Sequence, residues 1–358
     1  MAKTVLLIGT RKGLFLAESD DRRDWTMRGP FGDGWPIYNA ILADDGTLYA
    51  TAASEWHGAG VWRSGDLGET WEFSGEGIAY PEESGLKVNK VSGLAASNGR
   101  LLVGAENIGL FESRDGGKTF SLLSTLEGAS GREVWNDPSM QPPGHLGLSS
   151  IIPDADDEQK IRVVVQGNST FDTEDGGKTW TPKNRGLRRE WPAPPDPEVG
   201  FCVHKLAPSP VDKDRWYQQN HVGTWRSDDG GANWVEITEG LPSQFGFACA
   251  AHAHDRDTFY TTVLDPMHTR TMQNGECAVW RTRDAGGSWQ KLTKGLPQRD
   301  AHLGVLREGM VADRQDDFGL YFGTSTGQVF ASLDEGDSWL QLADYLPSIS
   351  SVRVATLA

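Results

Sequence analysis

The chain has little cysteine, no surplus of positive charge and no long apolar run, and each shortage narrows what it can be. Three cysteines, Cys202, Cys249 and Cys277, show no metal-ligand spacing and leave an odd thiol, which argues against a disulfide framework and points to a reducing, cytoplasmic setting. Lysine and arginine number 34 against 50 acidic residues, a formal net charge of −16 over 358 residues. That balance speaks against a nucleic-acid backbone or an anionic membrane surface as partner, because both need a net basic face. No apolar stretch approaches the roughly 20 residues needed to cross a bilayer as a helix. The apolar run Val5-Leu-Leu-Ile-Gly9 is too short for a signal peptide, has no small-residue cleavage site and leads into a second run at Gly13-Leu-Phe-Leu16. A strand is expected there.

The chain is rich instead in Gly (43), Pro (18) and Trp (14), which suits many tight turns and a regular set of packing aromatics. Six copies of Ser/Thr-x-Asp-x-Gly-x-x-aromatic account for much of this: Ser64-Gly-Asp66-Leu-Gly68-Glu-Thr70-Trp71, then copies ending at Phe120, Trp180, Trp234, Trp289 and Trp339. A seventh, decayed copy is read at Asp20 to Trp25, with Arg22 at the glycine position. A carboxylate that accepts local N–H groups, a hydroxyl two residues earlier and a glycine free to adopt positive φ make a turn, and the aromatic opens the next strand. Repetition at this period indicates a radial or solenoid array.

Tracing strands outward from the turns gives six four-stranded blades at about 36–76, 90–125, 147–184, 201–238, 246–293 and 302–343. Inner strands are expected to begin near Ile37, Val91, Leu148, Cys202, Phe247 and Leu303. Three strands remain at the start (4–30) and one at the end (349–356), which together make a seventh, closing blade. The expected fold is therefore all-β, a single seven-bladed β-propeller with antiparallel blades; six blades and an unpaired terminus is the alternative.

The repeated pattern resembles the Asp-box, or bacterial neuraminidase repeat, shared by sialidases, sortilin-type receptors, some plant-wall glucanases and photosystem II assembly factors. The resemblance implies that the box joins the third and fourth strands of each blade, on the face away from any active site. Over the whole chain, with Gly9-Thr-Arg-Lys-Gly-Leu-Phe15, Gly34-Trp-Pro-Ile-Tyr38 and Tyr217-Gln-Gln-Asn-His221, it is similar to bacterial stand-alone repeat proteins labelled sialidase-like or glycosyl-hydrolase-like. Sialidases use three arginines, a Tyr nucleophile activated by Glu, and an Asp. Here Arg28-Gly-Pro30 lacks the residues that flank the first such arginine, so the resemblance stops short of that site.

On the face opposite the boxes, the elaborated connections 122–147 and 183–201 and the loop 264–276 mark a binding face. Polar residues from several blades converge there. Glu55 and Glu106 are candidate acid and base, His204 and His221 candidate polarising or proton-transfer groups, and Tyr38 a candidate nucleophile. Arg11 and Arg307 form a candidate anion clamp, with Lys12, Trp56, Lys90, Gln219 and Asn220 as further ligand contacts. No spacing fixes a third ligand beside His204 and His221, so neither metal nor cofactor is assigned. His252 and His254 are expected at a solvent-facing strand end, Asn168-Ser-Thr170 in a loop, and Trp56, Trp135 and Trp191 as either sugar platforms or loop anchors. Two functions follow: a hydrolase or lyase acting on a polar, anionic or glycan-like small molecule, or a non-catalytic propeller that binds a ligand or a protein partner.

Overall fold

A computed structural model describes residues 3–132, 135, 147–189, 198–265 and 269–357. Seven four-stranded antiparallel sheets are arranged as blades, and Ile349–Leu357 pairs with Lys3–Thr10 to complete the closing blade with Gly13–Ser19 and Thr26–Phe31. The ring is thus shut by hydrogen bonds between the two ends of the chain, which covers an edge that would otherwise stand unpaired. Apolar side chains fill the spaces between blades. Phe322, Phe330 and Trp339, for example, pack with ring centroids 5.0 Å apart in one such layer.

Each repeated turn is closed by its own side chains. In the first, Ser64 Oγ donates to Asp66 Oδ1 (2.8 Å), Gly68 N–H donates to Ser64 Oγ (2.8 Å), and Thr70 donates from N–H (2.9 Å) and Oγ1 (2.6 Å) to the Asp66 carboxylate. The same bonds recur around Asp115, Asp175, Asp229, Asp284 and Asp334. The decayed copy is built one residue later than its sequence suggests. Ser19 Oγ donates to Asp21 (3.1 Å), and Asp21, not Asp20, accepts from the N–H groups of Arg23 and Asp24. The loop from aspartate to aromatic is one residue shorter here, which displaces the alignment counted back from Trp25.

A second repeated device ties neighbouring blades together. Phe120, Trp234 and Trp339 donate their N–H groups to the carbonyls of Glu76, Arg185 and Lys294 in the preceding blade, at 2.8, 2.8 and 2.9 Å. The residues that follow those carbonyls, Gly77, Gly186 and Gly295, have φ of +81°, +94° and +88°, and a Cβ on them would meet backbone oxygen at 1.8, 2.3 and 2.1 Å. Only glycine allows so close an approach.

The inner strands carry the feature that shapes the channel. At the same level in six blades the pairing of inner and second strand slips by one residue, leaving Tyr38, Ser92, Ser149, His204 and Ser350 as the extra residue, and one more between Gly246 and Cys249. Such a bulge re-aims a side chain. The sixth blade departs from expectation: its inner strand is Met310–Ala312, not a strand from Leu303. Residues 303–309 form an ordered loop, held by Met272 N–H donating to Leu303 O (2.8 Å) and closed by Gly309 N–H donating to Leu306 O (2.8 Å). This loop brings Arg307 and Glu308 to the axis.

Two further expectations are corrected, and one left open between two readings is decided. His252 is buried and stacks on Phe318 at 4.0 Å, because it caps an interblade core. Asn168-Ser-Thr170 is buried at a turn and strand start, not an open loop. Trp135 is buried against Phe171 (5.0 Å), which makes it an anchor and not a platform. Trp191 lies outside the described residues.

Candidate functional site

The axial channel is divided in two by a buried ion cluster. Glu308 pairs with Lys205 and with Arg353 Nη2 (2.5 Å), while Ser150 Oγ lies 3.4 Å from its other oxygen. Arg353 Nε in turn donates to Asn39 Oδ1 (3.1 Å). Burial pushes the Glu308 carboxyl up, but Arg353 and Lys205 outweigh it and hold the pKa below the usual glutamate value. The group is an anion, and its charge is spent inside the cluster.

Below the cluster, towards the repeated turns, lies a chamber of about 290 Å³ lined by Ala207, Pro208, Ala251, Met310 and Asp313. Asp313 is neutralised by Arg22 (3.0 Å) and accepts from Tyr321 Oη (2.9 Å). Above it, on the opposite face, a second cavity of about 290 Å³ is lined by Arg11, Pro36, Tyr38, Lys90, Ser92, Ser149, Gln166, Leu306, Arg307 and Ser350, with Glu308 of the ion cluster at its floor. Four of these are the extra residues of the strand bulges. Three are cations, and among the described residues none of Arg11, Lys90 and Arg307 makes an ion pair. Lys90 Nζ sits 4.4 Å from the Tyr38 ring centroid, and burial pulls its pKa down while the Glu106 charge opposes this. Burial, and then Glu106, push the Tyr38 phenol up, so it is a hydroxyl donor and not a phenolate. Arg307 stacks over Phe247 at 4.8 Å, with a buried Nε that has no hydrogen-bond partner.

Beside Arg307, in the wall between the fourth and fifth blades, Cys202, His204 and His221 come together with one donor atom each all within 4.8 Å. Cys202 Sγ lies 3.3 Å from His204 Nε2, and His204 Nδ1 lies 2.6 Å from Gly246 O. Phe245 and Phe247 pack against both or one of the rings, at 4.8 Å for His221–Phe245 and 4.7 Å for His204–Phe247. Burial first, then the nearby arginines, hold His204 well below its ordinary pKa and pull His221 down to about 4, so both rings are neutral near pH 7.

The structure therefore unites Arg11, Tyr38, Lys90 and Arg307 in one cavity and sets His204 and His221 next to it. It does not unite the proposed carboxylate pair. Glu55 is exposed in the turn beyond Leu48–Ser54, next to Trp56 (88 % exposed), and neither lines the funnel. Glu106 is half-buried and acts through its charge on Tyr38 and Lys90, but it is not among the lining residues. Lys12 is exposed at the Arg11 turn. Gln219 is fully buried and satisfied between its own blade and the next, accepting from Thr224 Oγ1 (2.7 Å) and Thr261 Oγ1 (3.1 Å) and donating to three carbonyls. Asn220 is also buried. Both amides are therefore wall residues. Ser92, Ser149, Gln166 and Ser350 were not foreseen, because a serine at a strand entrance carries no signal until the bulge is seen. The third member of the histidine cluster, Cys202, was missed because a single Cys-x-His pair carries little signal by itself, and only strand pairing brings His221 back beside it.

No protein-family model matches the chain, and no curated protein matches it. Its fold is shared with solved structures. YCF48 bound to D1 peptide matches with a TM-score of 0.56 and 16 % identity, over 87 % of this chain and 81 % of that one. An ancestral GH74 enzyme matches with a TM-score of 0.56 and 16 % identity over 89 % of this chain, which spans only 38 % of that enzyme's length. A COPII outer-coat chain matches with a TM-score of 0.58 and 10 % identity over 88 % of this chain and 82 % of its own. At such identities the likeness is one of fold alone.

Proposed function

We propose that this protein captures an anionic ligand, a carboxylate- or phosphate-bearing small molecule or acidic glycan, in the funnel opposite the repeated turns. One observation carries the reading: among the described residues, three cations without ion pairs line one cavity in a chain whose net charge is −16, and the acidic residue that lines it too, Glu308, is already held by Lys205 and Arg353. What sets them apart is their convergence on one cavity: Lys90 and Arg307 are half-buried there and Arg11 stands exposed beside them, and a partly desolvated cation without a counter-charge is costly unless an anion completes it. Arginine forks suit carboxylate and phosphate, and the hydroxyls of Tyr38, Ser92, Ser149 and Ser350 are placed to read neutral groups on the same ligand. Three buried thiols, none in a disulfide, are consistent with a cytoplasmic setting.

A sialidase-like or glycosidase-like hydrolysis, or a lyase reaction, has less support. Glu308 is consumed by the ion cluster, Glu55 stands outside the cavity and Tyr38 is held as a phenol. A peptide carboxylate is the second reading, favoured by the match over most of its length to YCF48, whose solved complex contains a D1 peptide.

The test is a thermal-shift and calorimetric panel of dicarboxylates, phosphomonoesters, acidic sugars and short peptides with free C-termini. A ligand present at a hundred times its Kd adds about 2.7 kcal/mol to stability. The expected result is stabilisation by at least one anionic class that is lost in Arg11→Gln and Lys90→Gln. Stabilisation unaltered by both substitutions, or none by any anion, rejects the reading.

A further inference from the structure

The Cys202, His204 and His221 cluster has no part in the anion-binding reading, and its geometry points further. We infer that it is a transition-metal site, with zinc as the ion its donors suit, opening towards Arg307 and the funnel.

The argument begins with the donors. One thiol and two imidazoles are the ligand types zinc takes, and three protein ligands with one position left over is the pattern of reactive rather than purely structural zinc sites. A tetrahedral ion with bonds of about 2.0–2.3 Å separates its sulfur and nitrogen donors by roughly 3.6 Å. Cys202 Sγ and His204 Nε2 are 3.3 Å apart, and the set spans no more than 4.8 Å, so small side-chain rotations close it around an ion. The backbone has prepared this meeting. His204 is the extra residue of its strand bulge, which turns its ring into the wall, and His221 follows the second strand Trp216–Asn220 where His221 N–H donates to Cys202 O (3.0 Å).

The surroundings agree. The contact of His204 Nδ1 with Gly246 O at 2.6 Å makes Nδ1 the protonated nitrogen, which leaves the Nε2 lone pair turned to Cys202. Metal-bound histidines characteristically use their second nitrogen in this way. Phe245 and Phe247 form an apolar wall on the rings and restrict water. The opposing consideration is charge: Arg307 and Arg270 both act on the two histidines, and Arg307 acts on Cys202. A divalent ion is tolerable there only with the thiolate, whose proton leaves to solvent, and an anionic or hydroxide ligand at the fourth position meets both guanidiniums. Neither histidine belongs to the three funnel cations, so the site stands or falls independently of the proposed anion capture.

The full chain, freed of metal with a chelator and reduced, is titrated with cobalt(II) as a spectroscopic stand-in and then with zinc. One equivalent of cobalt is expected to give a thiolate charge-transfer band and the intense visible bands of a tetrahedral ion, both abolished by one equivalent of zinc. Cys202→Ser should remove the charge-transfer band, and His221→Gln should weaken zinc by more than about tenfold, beyond what loss of an outer hydrogen-bond partner alone causes at the low end. Cys277→Ala should leave both unchanged. Circular dichroism of the half-buried His221→Gln variant separates lost ligation from lost folding. No charge-transfer band in the wild type, or a band that survives Cys202→Ser, overturns the site and leaves a buried thiol–imidazole hydrogen bond in its place.

Discussion

The two faces of this propeller solve opposite problems. On the turn face, polar groups are matched locally and repeatedly: six aspartates each accept from their own loop, and the hydroxyl two residues earlier completes the circuit. On the funnel face, charges from different blades are gathered and left without ion pairs, as at Arg11, Lys90 and Arg307. The Lys205–Glu308–Arg353 cluster divides the two. A face that satisfies itself within a few residues holds the fold, and one that does not is arranged for something that arrives from outside.

That contrast can be broken first at its boundary. Glu308→Gln leaves the buried Lys205 and the half-buried Arg353 without their counter-charge, and removal of one partner from a buried pair costs about 3–5 kcal/mol. Urea unfolding should show a loss of that order; a loss below about 1 kcal/mol would mean that water enters and screens the cluster, since exposed pairs are worth that little. Next comes the interblade latch. Gly186→Ala forces a left-handed backbone on alanine, at about 1–2 kcal/mol, and adds a clash with Trp234 O, so the melting temperature should fall by more than the backbone penalty alone explains.

The turn face should also declare itself by pH. Hydrogen bonds from Thr70 and Ser64 draw the Asp66 carboxyl down to about 2, and those from Thr179 and Thr173 do the same for Asp175. Their ordinary value is 3.8, so the unfolded chain takes up protons first as pH falls. The contribution is complete above that value and is lost progressively as pH drops to about 2. Thr179→Val should flatten that part of the stability-versus-pH curve; an unchanged slope would show that the threonine bonds do not set it. The smallest effect belongs to the funnel. Arg11→Gln, at an exposed residue, should change unfolding stability by no more than about 0.5 kcal/mol while abolishing anion capture, the reverse of what the latch variant does.

The same contrast decides what could be read from residues alone. The turn face is local, so its pattern within eight residues announced the blades, and the terminal strands announced ring closure. Even there the decayed copy was misplaced by one residue, since Ser19 and Asp21, not Asp20, make the bonds. The funnel face is non-local. Tyr38, Lys90, Arg11 and Arg307 were legible because charged or aromatic side chains at strand entrances stand out, and the ring brings them together. Ser92, Ser149 and Ser350 reach it only through bulges, which depend on pairing register. Glu55 and Gln219 carried the right chemistry in the wrong direction: one is on an exposed turn, the other is locked between Thr224 and Thr261. Cys202 became a partner of His204 and His221 only when the chain returned along the second strand.

The most direct test of the account is where an anion settles when none is specified in advance. Crystals soaked in bromide and measured at its absorption edge locate the ions without any assumption about the ligand. The account predicts a strong anomalous peak in the upper cavity, in contact with Arg307 and at least one of Arg11 and Lys90, and none in the lower chamber, where Lys205, Arg353 and Asp313 are paired and Arg314 is a single exposed cation. Bromide confined to the outer surface, with the upper cavity empty of it, would contradict the claim that this funnel is built to receive an anion.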